Sequence, residues 1–595
     1  MELKEFIEDE DFISKMSKAF ADLRADFELD LHDTEEKIRE LRSTHVDYKN
    51  NLDSLVSCST VSSGVISGLR GTGKTHLFLL ARDRINGDYE NCKVLCVYLN
   101  VKRLHLPEDY NQEIFNRVFS IYLYDNIAKQ LVGFLKNLKE ERIINKILSI
   151  FDNDKRKLYK NIENTIVKIS EFKNIVKNGT NKLEELSIGN INIDESNREL
   201  IEIKNSILTK LSLSDLEVGN SLDISMLEEL SRNMAKGNTY INFLNIYDVR
   251  QQLIEIKELL KLRSITFYVD EWEKLYRIKS AQEFLSFYID KINDTPFYFW
   301  IGVVPNRGGL HHLQKGADLQ HEINLDKNLK IELSSQDKEE CIAYYKKFIN
   351  QRLKYYFKEL GISYTILIDK TKKLEMLILG SMGIPRDFGT ILLDCWVEFK
   401  EYRLSKLIQG RPNKYITESM IIKAIRNDGE KKISNISDNI AVMQVWRDLE
   451  NFATNKKSSH ICIETSRDNI EILSKEYFSE LIYHRLLHFR KGHVPPKDKE
   501  IKNKLAVYAL SYSCTYDLHQ KDKLFSFVTE YETIHDKVRR YIYNPKAISN
   551  YIDIKEGEII LCKSEGCRQE INLHKMKHAV SSNECPFCGS KLFNH

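Results

Sequence analysis

The stretch Gly68-Leu69-Arg70-Gly71-Thr72-Gly73-Lys74-Thr75 fits G-x-x-x-x-G-K-[ST] at every fixed position. Each residue type serves one chemistry, the holding of a triphosphate. The glycines let the backbone fold tightly, so that N–H groups point inward at phosphate oxygens. A helix beginning near Lys74 adds its positive end. Lys74 neutralises β/γ-phosphate charge, and the Thr75 hydroxyl reaches Mg²⁺. The predicted nucleotide contacts are Gly68, Gly71, Thr72, Gly73, Lys74, Thr75 and His76. A second motif is Ser-Ile-Thr-Phe-Tyr-Val-Asp-Glu at 264–271, an apolar β-rich run ending in two acids. There Asp270 holds Mg²⁺ through water and Glu271 polarises the attacking water. A third apolar run, 296–304, leads into Asn306 and Arg307. Asn306 is placed to sense the γ-phosphate. Arg307 either reaches a neighbour's nucleotide or faces solvent.

A different chemistry closes the chain. Cys562 and Cys567 are followed by Cys585-Pro-Phe-Cys588-Gly. Two cysteine pairs on tight turns place four thiolates around one Zn²⁺. The first pair is C-x₄-C, wider than the usual C-x₂-C, and His574 and His578 are alternative ligands or solvent-facing residues. So short a segment needs its metal to fold, and residues 555–595 read as a structural zinc ribbon.

These groups must be positioned by an α/β core. Val65-Ile66 lead into the glycine loop as a buried strand, and Leu77, Phe78, Leu80 and Ala81 follow it on a helix. Residues 93–100 form a second strand, and the acid-pair strand looks like a buried parallel one. The core therefore spans 57–135 and 241–325. The proline-free span between them, 136–240, reads as a helical insertion, either a spacer or a partner-binding arm. Residues 1–56 read as amphipathic helices, with Phe12, Met16, Phe20 and Leu23 packed on the core. Residues 326–430 read as a helical lid. Within it, Gly383-Ile384-Pro385 breaks one helix and Arg386 starts the next. Arg386 points back at the phosphates or caps a local carboxylate. Thr417 is the N-cap of a further helix. Residues 431–550 mix helix and strand. A helix face (Tyr477, Phe478, Leu481, Ile482) and a strand at 505–510 flank a basic turn with Arg485, His488, Arg490, Lys491, His493, Lys497, Lys499, Lys502 and Lys504. That order resembles a winged helix. A turn so basic suits phosphate contacts, or is a solvated loop.

Composition limits the classes. A hydrophobic fraction of 42% is ordinary for a globular chain, and 595 residues suggest several domains. The net charge of +2 excludes a global basic field, so any nucleic-acid site is a local patch. No apolar run approaches the ~20 residues of a membrane helix, and the acidic start is no signal peptide. Seven of the 11 cysteines are scattered singly through apolar contexts, as in a reduced cytoplasmic protein.

The motifs GLRGTGKT, FYVDEWEKL, WIGVVPN and GIPR, in that order and followed by a mixed basic domain, resemble an AAA+ P-loop ATPase. Within AAA+ the layout is similar to the origin-recognition and STAND-like branch. The resemblance implies an α/β P-loop core with helical insertion and lid, and a winged-helix-like α+β domain ahead of the ribbon. It implies ATP, Mg²⁺ and Zn²⁺ as ligands, with Lys74, Glu271, Asn306 (sensor one) and Arg386 (sensor two) in catalysis. It further implies an ATP-hydrolysing protein that acts on DNA in replication, mobile-element or antiphage-defence machinery, with protein partners and a homo-oligomer as further expectations. The alternative is an ATP-switched scaffold that recruits a protein effector without touching DNA.

Overall fold

The structure is a computed structural model. It describes the chain except residues 1–8, 22–33, 108–109, 148–152, 179–243, 279, 328–329, 333, 359, 408–413, 497–500, 525–526, 528–540, 557–558, 565, 574–575 and 593–595. Most of the predicted insertion, with Leu23, Lys497, Lys499 and His574, therefore lies outside the described residues.

Five parallel strands form the core sheet: β1 (Gly64–Ser67), β2 (Val94–Asn100), β3 (Ser264–Asp270), β4 (Phe297–Val303) and β5 (His321–Asn324). Their order is β2-β3-β4-β1-β5. Every residue of β1 and β3 is buried, as strands covered on both faces require. Side chains alternate between the faces. Val65, Leu95, Val97, Phe267 and Ile301 join the core on one face with Phe115, Leu253 and Leu285. Those three come from α6 (Gln112–Ile147), α8 (Ile246–Leu259) and α9 (Ala281–Ile292). Ile66, Cys96, Tyr268 and Trp300 join the other core with Leu55, Leu77 and Phe78, from α3 (Asn51–Ser59) and α4 (Lys74–Gly87). The short α5 (Tyr89–Cys92) leads into β2. Helix α6 is continuous across position 135 and pairs with α7 (Asn153–Asn178).

The segment expected to be a lid holds α10 (Ser335–Tyr356), α11 (Thr371–Gly380), α12 (Pro385–Leu407) and α13 (Glu418–Ser434). Thr417 caps α13, its hydroxyl accepting from the Met420 amide at 3.3 Å. The N-terminal segment departs from expectation. Of its helices, α2 (Thr34–Thr44) packs on the core through Ile38 and Leu41 against Leu79 and Leu80. Helix α1 (Glu10–Ala21), however, buries Phe12, Met16 and Phe20 in the lid's apolar core, not the sheet's. Its Ser17 hydroxyl meets the Trp396 indole N–H at 3.1 Å.

After the lid come α14 (Ile440–Lys456), β6 (His460–Glu464), α15 (Arg467–Ser474), α16 (Glu476–Tyr483), β7 (Leu487–Val494), β8 (Leu505–Leu510), α17 (Tyr512–Gln520) and α18 (Lys546–Lys555). The three strands are antiparallel in the order β6-β8-β7. Much of the segment expected to be a basic turn is thus a strand. Along β7, Arg490 is buried while Phe489 is 36% exposed. Leu69 of the glycine loop and Ile384 of the lid sit in this domain's apolar core, beside Trp446 and Leu487. The tail holds a hairpin, β9 (Ile559–Leu561) with β10 (Glu570–Asn572), and α19 (Lys577–Ser582).

Candidate nucleotide and metal sites

Parallel pairing brings the chemistry-bearing residues to one edge of the sheet. Ser67 pairs with Val303, and Asn100 with Asp270, so the glycine loop and the acid pair leave the same end. Gly71 (φ +90°) and Gly73 (φ +102°) adopt left-handed conformations that other residues resist. A Cβ on Gly71 would lie 2.7 Å from that of Arg386. The Arg386 amide donates to the Gly71 carbonyl at 3.3 Å. The lid helix α12 therefore begins on the loop itself.

The loop is held from three sides. The Leu69 amide donates to Asp326 Oδ1 at 2.9 Å, a carboxyl pushed up by burial and pulled back by the Leu69 N–H and by Lys74. The Thr72 hydroxyl donates to the Leu69 carbonyl at 2.8 Å. Lys74 Nζ, at the start of α4, donates to the carbonyls of Gly68 and Leu69 at 2.8 and 3.2 Å. The loop thus presents an ammonium where phosphate charge would sit.

Gly71, Thr72, Gly73, Lys74, Thr75, His76, Glu271 and Arg386 all line one hollow. Its far wall is formed by His45 and Tyr48 of the N-terminal segment and by Tyr344, Phe348 and Arg352 of α10. His45 Nδ1 lies 3.0 Å from His76 Nε2, the rings stacked with centroids 5.0 Å apart. Burial pushes both imidazoles down, His76 far below its ordinary value. In a contact between two imidazole nitrogens one ring donates and the other accepts.

Asp270 is buried behind this surface and does not itself line the hollow. Its Oδ2 accepts from the Tyr98 hydroxyl at 2.8 Å, and its Oδ1 from the Glu271 amide at 2.9 Å. Glu271 takes a left-handed backbone (φ +61°). Burial, then the neighbouring charges of Glu273 and Asp270, push its carboxyl up to about 7. Lys274 Nζ stands 3.9 Å from Glu271 Oε2. A base near neutrality suits proton handling at physiological pH.

The third predicted residue is placed differently. Asn306 follows β4 with φ +63° and is not among the residues lining the hollow. Arg307 does not face solvent, against one of its two expected roles. It is 3% exposed, ion-paired with Glu480, and its guanidinium lies 3.8 Å from the Tyr483 ring centroid. Three residues of the expected basic turn, Arg485, His488 and Arg490, are likewise turned inward. Arg485 Nε donates to Asp387 at 2.9 Å, and Arg490 is buried against Glu332. Both neutralise internal carboxylates, which a chain needs wherever it buries charge. Around the remaining hairpin, His493, Lys502 and Lys504 are exposed.

Sequence reading missed His45, Tyr98, Asp326 and the α10 residues. Tyr98 could have been found as a polar tip ending an apolar strand. His45 and Asp326 carry no local signal.

In the tail, Cys562, Cys567, Cys585 and Cys588 bring their sulfurs within 4.8 Å of one another. Cys562 and Cys588 are 3.5 Å apart, and Cys567 and Cys585 are 3.8 Å apart. A disulfide needs about 2.05 Å. Sulfurs at tetrahedral corners 2.3 Å from Zn²⁺ lie about 3.8 Å apart. The donor set fits zinc. The Ser590 hydroxyl and amide hold the Cys588 thiol down to about 6. His578 lies outside the cluster.

No family model and no curated protein sequence matches the chain. Among solved structures it is similar to the ORC1 protein of Aeropyrum pernix in complex with DNA, with 11% identity and a TM-score of 0.30, over 81% of this chain and 96% of that one. It is also similar to the ORC2 protein of the same organism in ADPNP–ADP complexes, with 11% identity and a TM-score of 0.31, over 88% and 95%. Among the described residues, no helix is long and apolar enough to cross a membrane.

Proposed function

We propose that this chain is an AAA+ type ATPase that binds ATP with Mg²⁺ and hydrolyses it. One observation carries the reading: the glycine loop with Lys74 and Thr75, the acid pair Asp270–Glu271 and the lid residue Arg386 converge at one edge of a parallel sheet. Strand β4 separates β1 from β3, so the glycine loop and the acid pair leave non-adjacent strands. ATP supplies the phosphoanhydride bond and Mg²⁺ neutralises its oxygens. Lys74 would exchange the carbonyls of Gly68 and Leu69 for phosphate oxygens. Thr75 and Asp270 would hold the metal, directly and through water. Glu271 would accept the water's proton, and Arg386, at the lid's first turn, would make closure depend on the nucleotide. Asn306 as a γ-phosphate sensor requires the turn after β4 to meet the nucleotide. Comparing ATP binding and turnover in wild type and Glu271→Gln tests the assignment.

We further propose that the C-terminal domain acts on DNA, as replication, mobile-element and antiphage-defence machinery each require. The order helix, strand, two helices and hairpin, with β8 between β6 and β7, supports a winged helix. Its second short helix, α16, is buried from Tyr477 to Tyr483, so contact falls to the β7–β8 hairpin with His493, Lys502 and Lys504. That burial also favours a second reading, an ATP-switched scaffold whose effector is a protein. A zinc ribbon held by Cys562, Cys567, Cys585 and Cys588 completes either assembly, with homo-oligomerisation a further proposal.

A further inference from the structure

The segment Glu480–Arg485, at the end of α16 and just beyond it, contacts the residues adjoining Asn306, Glu271 and Arg386 and meets the glycine loop at Arg70. Glu480 is 4% exposed on its side chain and is ion-paired with Arg307, the neighbour of Asn306. It also contacts Arg277 and lies 3.1 Å from His484 Nε2. Burial alone would raise its carboxyl, but His484, Arg307 and Arg277 together bring it down to about 2. Tyr483 stacks its ring on Arg307, and Arg70 of the glycine loop lies 5.3 Å from the same centroid. Its hydroxyl accepts from Lys274 Nζ at 3.0 Å, the ammonium that faces Glu271. Arg485 donates to Asp387, which follows Arg386.

The far side of the sensor turn is held as well. Gln282 Nε2 donates to the Arg307 carbonyl at 2.7 Å. Asn306 thus sits in a left-handed turn whose next residue is gripped by backbone and side chain alike. Residues in sparsely populated conformations persist only when their surroundings fix them. Misplacing a group by an ångström costs catalysis about 10²-fold.

We propose that the C-terminal domain supplies the positioning layer of the ATPase site, with Glu480 and Tyr483 as its principal positioning residues. Glu480 fixes Asn306 through Arg307, and Tyr483 fixes Glu271 through Lys274. Turnover then requires the C-terminal domain in its docked place, and a partner that shifts α16 alters the rate without touching the nucleotide. This rests on the ATPase reading above.

The experiment measures steady-state ATP hydrolysis by full-length wild type, Glu480→Gln, Tyr483→Phe and Glu271→Gln, with ATP affinity and thermal melting for each. Both positioning variants keep their shape and lose one charge or one hydroxyl. We expect kcat to fall roughly 10- to 100-fold in Glu480→Gln and several-fold in Tyr483→Phe, with KM and ATP affinity within about threefold of wild type. Unchanged kcat in both variants overturns the proposal and leaves the ATPase reading intact. So does a loss that merely follows lower melting and weaker ATP binding. Wild-type turnover no higher than that of Glu271→Gln removes the ATPase reading, and the positioning layer with it.

Discussion

Asp387 accepts a hydrogen bond from Arg485 Nε at 2.9 Å, and the same carboxylate oxygen lies 2.9 Å from Lys432 Nζ. The pair ties the first turn of the lid helix to the C-terminal domain, one residue beyond the contact between Arg386 and Gly71. Burial would raise the Asp387 carboxyl, but Arg485 and Lys432 outweigh it and hold the group near 2.

That shift has a pH signature. The folded value lies below the ordinary 3.8, so the stabilisation is present above pH 3.8 and disappears as pH falls towards 2. The difference corresponds to about 2 kcal/mol. Chemical denaturation between pH 5 and 2 should show this loss in wild type. In Asp387→Asn, which is less stable throughout, the pH-dependent part should be smaller by that amount. An identical slope in the two proteins would contradict the assignment.

Arg490 was expected on a phosphate track and is instead a buried partner of Glu332. Arg490→Ala should therefore unfold the protein more readily, by about 3–5 kcal/mol, because it leaves a buried carboxylate unpaired. DNA contact is better tested at the hairpin. Lys502→Ala with Lys504→Ala should reduce the slope of log K against log salt by up to ~2 units and leave melting unchanged. A slope unaffected by the double change would favour the protein-effector reading.

The tail should carry one zinc. Native mass spectrometry should find about one Zn²⁺ per chain, released when Cys588 is changed to Ser. ATP binding should survive that change, since the ribbon's small core of Ile571, Ala579 and Leu592 is separate from that of the sheet. A metal-free chain with intact cysteines would rule the site out.

The motifs were legible because their chemistry dictates local residue types. Only Gly suits the turns at 71 and 73, and only a buried strand carries Phe-Tyr-Val into Asp270. Charge alone was less informative. Arg485, Arg490 and Arg307 could not be told from solvent-facing residues until their carboxylates, distant in sequence, were in place. Strand β7 was concealed because it inverts the usual pattern, with Arg490 inward and Phe489 outward. Helix α1 showed its apolar stripe but not which core would receive it. His45 reaches His76 only through the packing of the N-terminal segment, and no local pattern encodes that.

The central claim is that Glu271 activates water at a nucleotide held by Lys74. Its carboxyl, pushed up to about 7 chiefly by burial, makes kcat rise with pH through neutrality as the base loses its proton. The most direct test is ATP binding and single-turnover hydrolysis in wild type, Glu271→Gln and Lys74→Ala. We predict that Glu271→Gln binds ATP as wild type does and loses turnover by a factor of about 10² or more, whereas Lys74→Ala no longer binds. Equal hydrolysis rates in wild type and Glu271→Gln would contradict it.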